Sequence, residues 1–416
     1  MENRKSFSPL KLSLTTQTFL AMGLGILVGL LFGNRLAFLG EVSRVVVYVI
    51  KTLAIPLLFL TITEGFLRAE FKGRGFVTLL LVSFLNAACA VSIELLISNA
   101  FHPGQYLSLK LPEDSPFLSQ TSWLYNIGSS IPGGSATSLI TGTSLVILLS
   151  LVFGSSLLIL RKTVLRNKIQ FFEGLTQLIE KGLKLLFLLI DWVVLFLPLA
   201  VFCAVVKVVG SHGFSLAKGL LAYFLACAAG MTLHILVVYQ SWIRWAGKMT
   251  LKYFWKIALE PALYAFGINS SLATLPVTLK TLSKLKVSPS SARLSACVGT
   301  NFNNDGILLY EVVAALFLIQ AYGISLPLQA QMGVALVSVI ACIGVAGIPE
   351  AGIISLTIVL SSIGLPSEAI PFLLTIDWVL ARMRSFTNVL GDISVAVAID
   401  RFTSQGRFAE KPKLLE

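Results

Sequence analysis

The chain has 416 residues, 56% hydrophobic and only 12% charged, about half the charged share of an ordinary soluble domain. A water-soluble fold this poor in charge would expose extended apolar patches, and apolar runs of about 20 residues, the length that crosses a bilayer, recur along the chain. The net charge of +12 does not point to nucleic acid. The lysines and arginines sit in short segments between apolar runs, as they do in cytoplasmic loops.

Basic flanks orient the spans in chain order. Arg4, Lys5 and Lys11 place the start inside. The first apolar run, 15–33, continues into further spans and reads as a span rather than a cleaved leader. Its Gly23, Gly25 and Gly29 suit close helix packing. Span two, 42–66, carries Pro56 as a kink and exits at Arg68, Lys72 and Arg74; span three covers 76–98. The polar stretch from His102 to Pro132, with Glu113 and Asp114, suits the outer side. Span four, 138–160, leads into Arg161, Lys162, Arg166 and Lys168. Spans five (185–210) and six (216–240) return the chain to Arg244, Lys248, Lys252 and Lys256 on the inner side.

The next apolar stretch, 257–279, is followed by Lys280, Lys284, Lys286 and Arg293. Crossing here would put that basic cluster outside, so the segment is predicted to be a re-entrant hairpin turning at its polar centre, Asn269 to Pro276. Span seven runs 295–322. Residues 332–363 are interrupted by Gly344-Val345-Ala346-Gly347-Ile348-Pro349-Glu350-Ala351-Gly352, a second broken hairpin entering from the other face. Span eight, 370–399, exits into Arg401, Arg407, Lys411 and Lys413. Paired interrupted segments mark a transporter's binding site. The predicted fold is therefore all-α and polytopic, with eight transmembrane helices plus two re-entrant helical hairpins.

Ionisable groups inside spans are costly and signal function. Span seven contains Asn301-Phe302-Asn303-Asn304-Asp305-Gly306, and span eight contains Asp377, Ala381, Arg384, Ser385, Asn388 and Asp392. Positions 377, 381, 384, 388 and 392 share one helical face. Arg384 offers a planar fork to a substrate carboxylate, while Asp392, Asn388 and Asn303 offer hard oxygen ligands to a small cation. The competing interpretation is an internal Arg–Asp pair that never meets substrate. Glu94 and Asp191 stand alone within apolar stretches, Glu94 as a candidate proton site. The five cysteines are scattered singly without metal spacing. His102, His212 and His234 read as loop or interface residues. No nucleophile–base pair, metal cluster or cofactor motif points to an enzyme. An anion channel would also use broken helices and a buried Arg.

Asn303-Asn304-Asp305-Gly306 resembles the NMDGT motif of the glutamate/aspartate and dicarboxylate:cation symporter family. Ser270-Ser271-Leu272-Ala273-Thr274-Leu275-Pro276 is similar to that family's serine-rich first hairpin, Ala346 to Gly352 to its second hairpin tip, and Arg384 to Asp392 to its last helix. The resemblance implies an elevator-type homotrimer in the cell inner membrane with both termini cytoplasmic. Residues 1–75 and 101–210 would form a scaffold, 76–100 and 211–400 a mobile transport domain, and 401–416 a tail. It implies no cofactor and no nucleic-acid partner, a small anionic substrate, and Na+ (or H+) as coupling ion. Substrate would meet Ser270, Ser271, Ile307, Ala346, Gly347, Ala381, Arg384, Ser385 and Asn388. One sodium would meet Gly299, Asn303, Asn388 and Asp392; a second the carbonyls of Asn301, Cys342, Ile343 and Val345; a third Asp305 and Asn303 with span-three hydroxyls.

This chain departs from the pattern at particular places. It has Ser83, Asn86 and Ala87 where sodium-driven members favour Tyr, Thr and Ser, Asn304 for Met, and Ile307 for Thr. Ala381 stands where amino-acid carriers place the Asp that binds the substrate ammonium. Leaving an ammonium unpaired there would cost several kcal/mol. The expected substrate is accordingly a dicarboxylate such as malate, succinate or fumarate, with glutamate or aspartate as the alternative.

Overall fold

In a computed structural model of the chain, the described residues are 14–68, 73–109, 169–212, 215–343, 351–366 and 370–403, with 149, 152–154, 156, 157 and 160. Their regular structure is helical throughout. Span four and the polar segment before it lie largely outside the described residues, as do both basic termini.

Helices α1 (Leu14–Phe32), α2 (Gly40–Arg68) and α3 (Gly73–Phe101) match the first three predicted spans, and Pro56 lies inside α2. Predicted span five is interrupted. α4 (Ile169–Val194) and α5 (Leu197–His212) meet at a tight turn in which the Phe196 amide donates to the Val193 carbonyl at 2.9 Å. Pro198 explains the break: it has no N–H for the carbonyl of Val194, and its ring collides with that carbonyl. α5 lies along α1. A Cβ on Gly25 would come within 3.0 Å of Val205, and one on Gly29 within 2.9 Å of Val209, whereas Gly23 faces open space. Two of the three predicted packing glycines thus serve that contact.

α6 (Ser215–His234) runs into a π-helical turn over Ile235–Tyr239 and a second over Trp242–Ala246. α7 (Leu251–Ile268) and α8 (Ser271–Lys284) form the first predicted hairpin. The chain reverses where Asn269 takes a left-handed backbone (φ 53°), which Asn tolerates, and Ser270 then caps α8 by accepting the Ala273 amide at 3.1 Å. The arms are antiparallel, since the Tyr253 hydroxyl at the start of α7 donates to the Lys284 carbonyl at the end of α8 (3.3 Å).

A short helix α9 (Pro289–Arg293), a π turn (Leu294–Val298) and a 3-10 turn (Gly299–Asn301) lead into α10 (Asp305–Ala321). α11 (Leu328–Ile343) and α12 (Ala351–Ser362) pack side by side as the arms of the second predicted hairpin; its turn, 344–350, lies outside the described residues. α13 (Ile370–Thr403) closes the fold.

α10 is the axis: every residue but Gln320 is buried, enclosed by α3, α6, α11, α12 and α13. Polarity is inverted relative to a soluble protein. Leu31, Phe84 and Trp245 are exposed while Asn303, Asp305, Asp377, Arg384 and Asp392 are buried, the arrangement a bilayer imposes. Three helical runs, Arg74–Phe101, Ala217–Ala246 and Pro289–Ala321, are long and apolar enough to cross one.

Candidate functional site at the crossing of broken helices

The predicted stripe on α13 is real: Asp377, Ala381, Arg384, Asn388 and Asp392 are all buried. The Arg384 guanidinium makes two parallel bonds to Asp377, from Nη1 to Oδ1 at 2.6 Å and from Nη2 to Oδ2 at 3.1 Å. It also lies over the Tyr310 ring, with Cζ 4.1 Å from the centroid, a cation–π contact strengthened by desolvation. A Cβ on Gly352 of α12 would stand 2.6 Å from Cζ, so the guanidinium fills the space that glycine leaves. Arg384 is thus pre-shaped as a fork, and one carboxylate already occupies it.

α10 begins against α13 at Gly306, where a Cβ would meet the Arg384 carbonyl oxygen at 2.6 Å. The Gly306 amide donates to Asn388 Oδ1 (2.8 Å), Asn388 Nδ2 to Asn304 Oδ1 (3.5 Å), and Asn304 Nδ2 to the Cys342 carbonyl (3.1 Å). Three elements are tied by this relay. Ile307 is buried in the same first turn of α10.

Beside this crossing, Asn303 Oδ1 accepts Asn86 Nδ2 at 2.9 Å, and Asn86 Oδ1 accepts Trp242 Nε1 at 2.7 Å. Asp305 sits in the first turn of α10, where the positive helix end favours a carboxylate. Its Oδ2 accepts the Tyr239 hydroxyl at 2.8 Å and lies 3.2 Å from His234 Nε2. Asp392 Oδ1 is buried without a hydrogen-bond partner. The Gly299 carbonyl, expected on a cation, closes the 3-10 turn by accepting the Phe302 and Asn303 amides (2.8 and 2.9 Å). Asn301 is half-buried and its Nδ2 bonds back to the Val298 carbonyl at 3.4 Å.

At the first hairpin, Ser385 Oγ donates to Asn269 Oδ1 at 3.3 Å, so the hairpin tip, with Ser270 and the half-buried Ser271 next in sequence, meets the α13 stripe. Ile343 ends α11 next to Cys342. Val345, Ala346 and Gly347 lie outside the described residues. Of the span-three positions, Ser83 is buried without a partner for its hydroxyl and Ala87 is half-buried.

The structure corrects one expectation and adds one residue. His234 is not a loop or interface residue; it is completely buried against Asp305. The π turn that follows it aligns residues five apart, so His234 and Tyr239 stack edge-to-face (4.8 Å between ring centroids) and reach the same oxygen. Glu311, next to Tyr310, is completely buried with neither carboxyl oxygen hydrogen-bonded. An acidic residue in an apolar run was the signal for it. Glu94 shares that state and is seated on Gly230, where a Cβ would stand 1.8 Å from its Oε1. Gly230→Ala is therefore expected to destabilise the fold by about 1–3 kcal/mol, read as a lower melting temperature in detergent. Glu94→Ala in the same chain should recover most of that loss; no recovery would contradict the contact.

With this geometry in place, comparison with known proteins becomes decisive. The model of the sodium:dicarboxylate symporter family matches residues 14–402. The chain belongs to that family. The proton/sodium-glutamate symport protein of Geobacillus stearothermophilus is 25% identical over 412 residues, 95% of this chain and 96% of that relative. Excitatory amino acid transporter 3 of Mus musculus is 31% identical over 261 residues, 59% of this chain and 46% of that relative. Excitatory amino acid transporter 4 of the same organism is 40% identical over 148 residues, 35% of this chain and 26% of the relative. The chain thus spans nearly all of the bacterial relative and less than half of the mouse ones. Membership makes it a membrane transporter rather than an enzyme, as the motifs implied. The relatives weigh on the substrate in the other direction from Ala381, towards acidic amino acids.

Proposed function

We propose that the chain is a cation-coupled symporter of a small acidic amino acid, aspartate or glutamate. The observation that carries this is the buried Arg384 fork at the crossing of two broken-helix elements. A glutamate symport relative aligned over 96% of its own length supports it. In this reading the substrate's distal carboxylate displaces Asp377 from the fork, keeping the bidentate geometry. The other carboxylate is taken at the N-terminus of α8, where free amides and the helix dipole favour an anion. The ammonium falls to hairpin carbonyls and to Asn304 Oδ1. A cation at Asp392 neutralises the remaining buried charge. The two hairpins gate the site from opposite faces, and the transport domain (76–100 and 211–400) slides against a scaffold (1–75 and 101–210) within a homotrimer in the inner membrane, termini inside.

One observation favours a second reading. Ala381 is buried on the substrate face and offers an ammonium nothing, which suits a C4-dicarboxylate. Competition decides between them: labelled L-aspartate uptake should be suppressed by excess L-glutamate and far less by malate or succinate. The reverse order assigns the dicarboxylate. Ala381→Asp is expected to tighten amino-acid binding at least tenfold, about 1.4 kcal/mol; unchanged preference would contradict the role given to that position.

A further inference from the structure

The break before α10 gathers oxygen atoms from four elements, and a cation needs lone pairs that no N–H or O–H already fills. Two side-chain amides fill them. Trp242 Nε1–H can only donate, so Asn86 must turn its oxygen to the indole (2.7 Å) and its NH2 to Asn303 Oδ1 (2.9 Å). The Gly306 amide can likewise only donate, so Asn388 gives it Oδ1 (2.8 Å) and points Nδ2 at Asn304 Oδ1 (3.5 Å). That leaves the Asn304 NH2 directed at the Cys342 carbonyl (3.1 Å). Each relay starts from an obligatory donor and ends on an oxygen that the family resemblance would give to a cation, so neither amide can flip without stranding a buried N–H. Asp305 Oδ2 is similarly occupied by Tyr239 and faced by His234. Among the aligned ligand side chains, Asp392 Oδ1 and the Ser83 hydroxyl are left without partners, and a lone hydroxyl does not hold a cation.

We propose that the amides of Asn86 and Asn304 take the places of a third and a second cation, so that the chain couples transport to a single cation held at Asp392. The second hairpin's first arm is then fastened to α10 by a protein hydrogen bond rather than by an ion. Each cation replaced removes one positive charge from the translocated unit. The inference rests on the symport reading above.

The test is a sodium titration of the purified full-length chain, with choline chloride holding ionic strength constant, followed by melting temperature. A ligand that binds only the folded state raises stability in proportion to the number of sites. One cation gives a Hill coefficient near 1 in the wild type. Asn304→Met, which cannot donate to the Cys342 carbonyl, is expected to bring it towards 2; Asn86→Thr is a second route to the same rise through Asn303. A wild-type coefficient of 2 or more overturns the inference and leaves cation coupling intact. A coefficient that stays near 1 in both variants overturns the role of the amides. No sodium response in the wild type overturns the cation site at Asp392, and the inference with it.

Discussion

Arg384→Ala is expected to lower substrate uptake more than a hundredfold, and the double variant Arg384→Ala/Asp377→Asn is expected to regain stability without regaining transport. The guanidinium is buried and forms two short bonds to Asp377. Removing it alone strands a buried carboxylate, at about 3–5 kcal/mol, so loss of uptake in the single variant would not separate folding from binding. Asp377→Asn removes the stranded charge, and what the double variant still lacks is the fork. Uptake by the double variant within a few-fold of wild type would make the Arg–Asp pair structural and contradict the proposed carboxylate site. Arg384→Lys keeps the charge and loses the bidentate geometry; it should raise KM by about tenfold or more while the protein stays folded.

Asp392→Asn is the second large effect. Asp392 Oδ1 is buried with no donor facing it, a state that is costly for a carboxylate unless a cation or a proton neutralises it. The isosteric amide removes the charge and keeps the shape. Uptake under a sodium gradient should fall to the rate measured in choline. Melting temperature in choline should rise, because an uncompensated charge worth about 1–3 kcal/mol has been removed. Retained sodium stimulation, or a lower melting temperature in choline, would contradict the assignment.

Much of the architecture was legible because a bilayer enforces simple rules. Basic flanks and apolar lengths located α1, α2, α3 and α6. The polar run from Asn269 to Pro276 marked a reversal because an exposed break is intolerable in lipid, and Asn269 and Ser270 are the residues that make it. The α13 stripe followed from helical periodicity. What was not legible depends on pairing across distance. Pro198 could have flagged the α4–α5 break, but the apolar run passes straight through it. His234 looked like an isolated histidine because its partner Asp305 is 71 residues away and the π turn that aligns it with Tyr239 leaves no periodic trace. Asn86 and Asn304 were visible as departures from the family pattern. That each donates into an oxygen marked for a cation required the orientations set by Trp242 and Gly306.

The central claim, that this chain is a coupled carrier of acidic amino acids, is tested most directly by accumulation in proteoliposomes. Labelled L-aspartate or L-glutamate would be presented at equal concentration on both sides, with an inward sodium gradient and the membrane potential clamped at zero. The account predicts a transient rise of internal label above the external level, absent when choline replaces sodium. Label that only equilibrates, with or without sodium, would contradict coupling and leave a channel in its place.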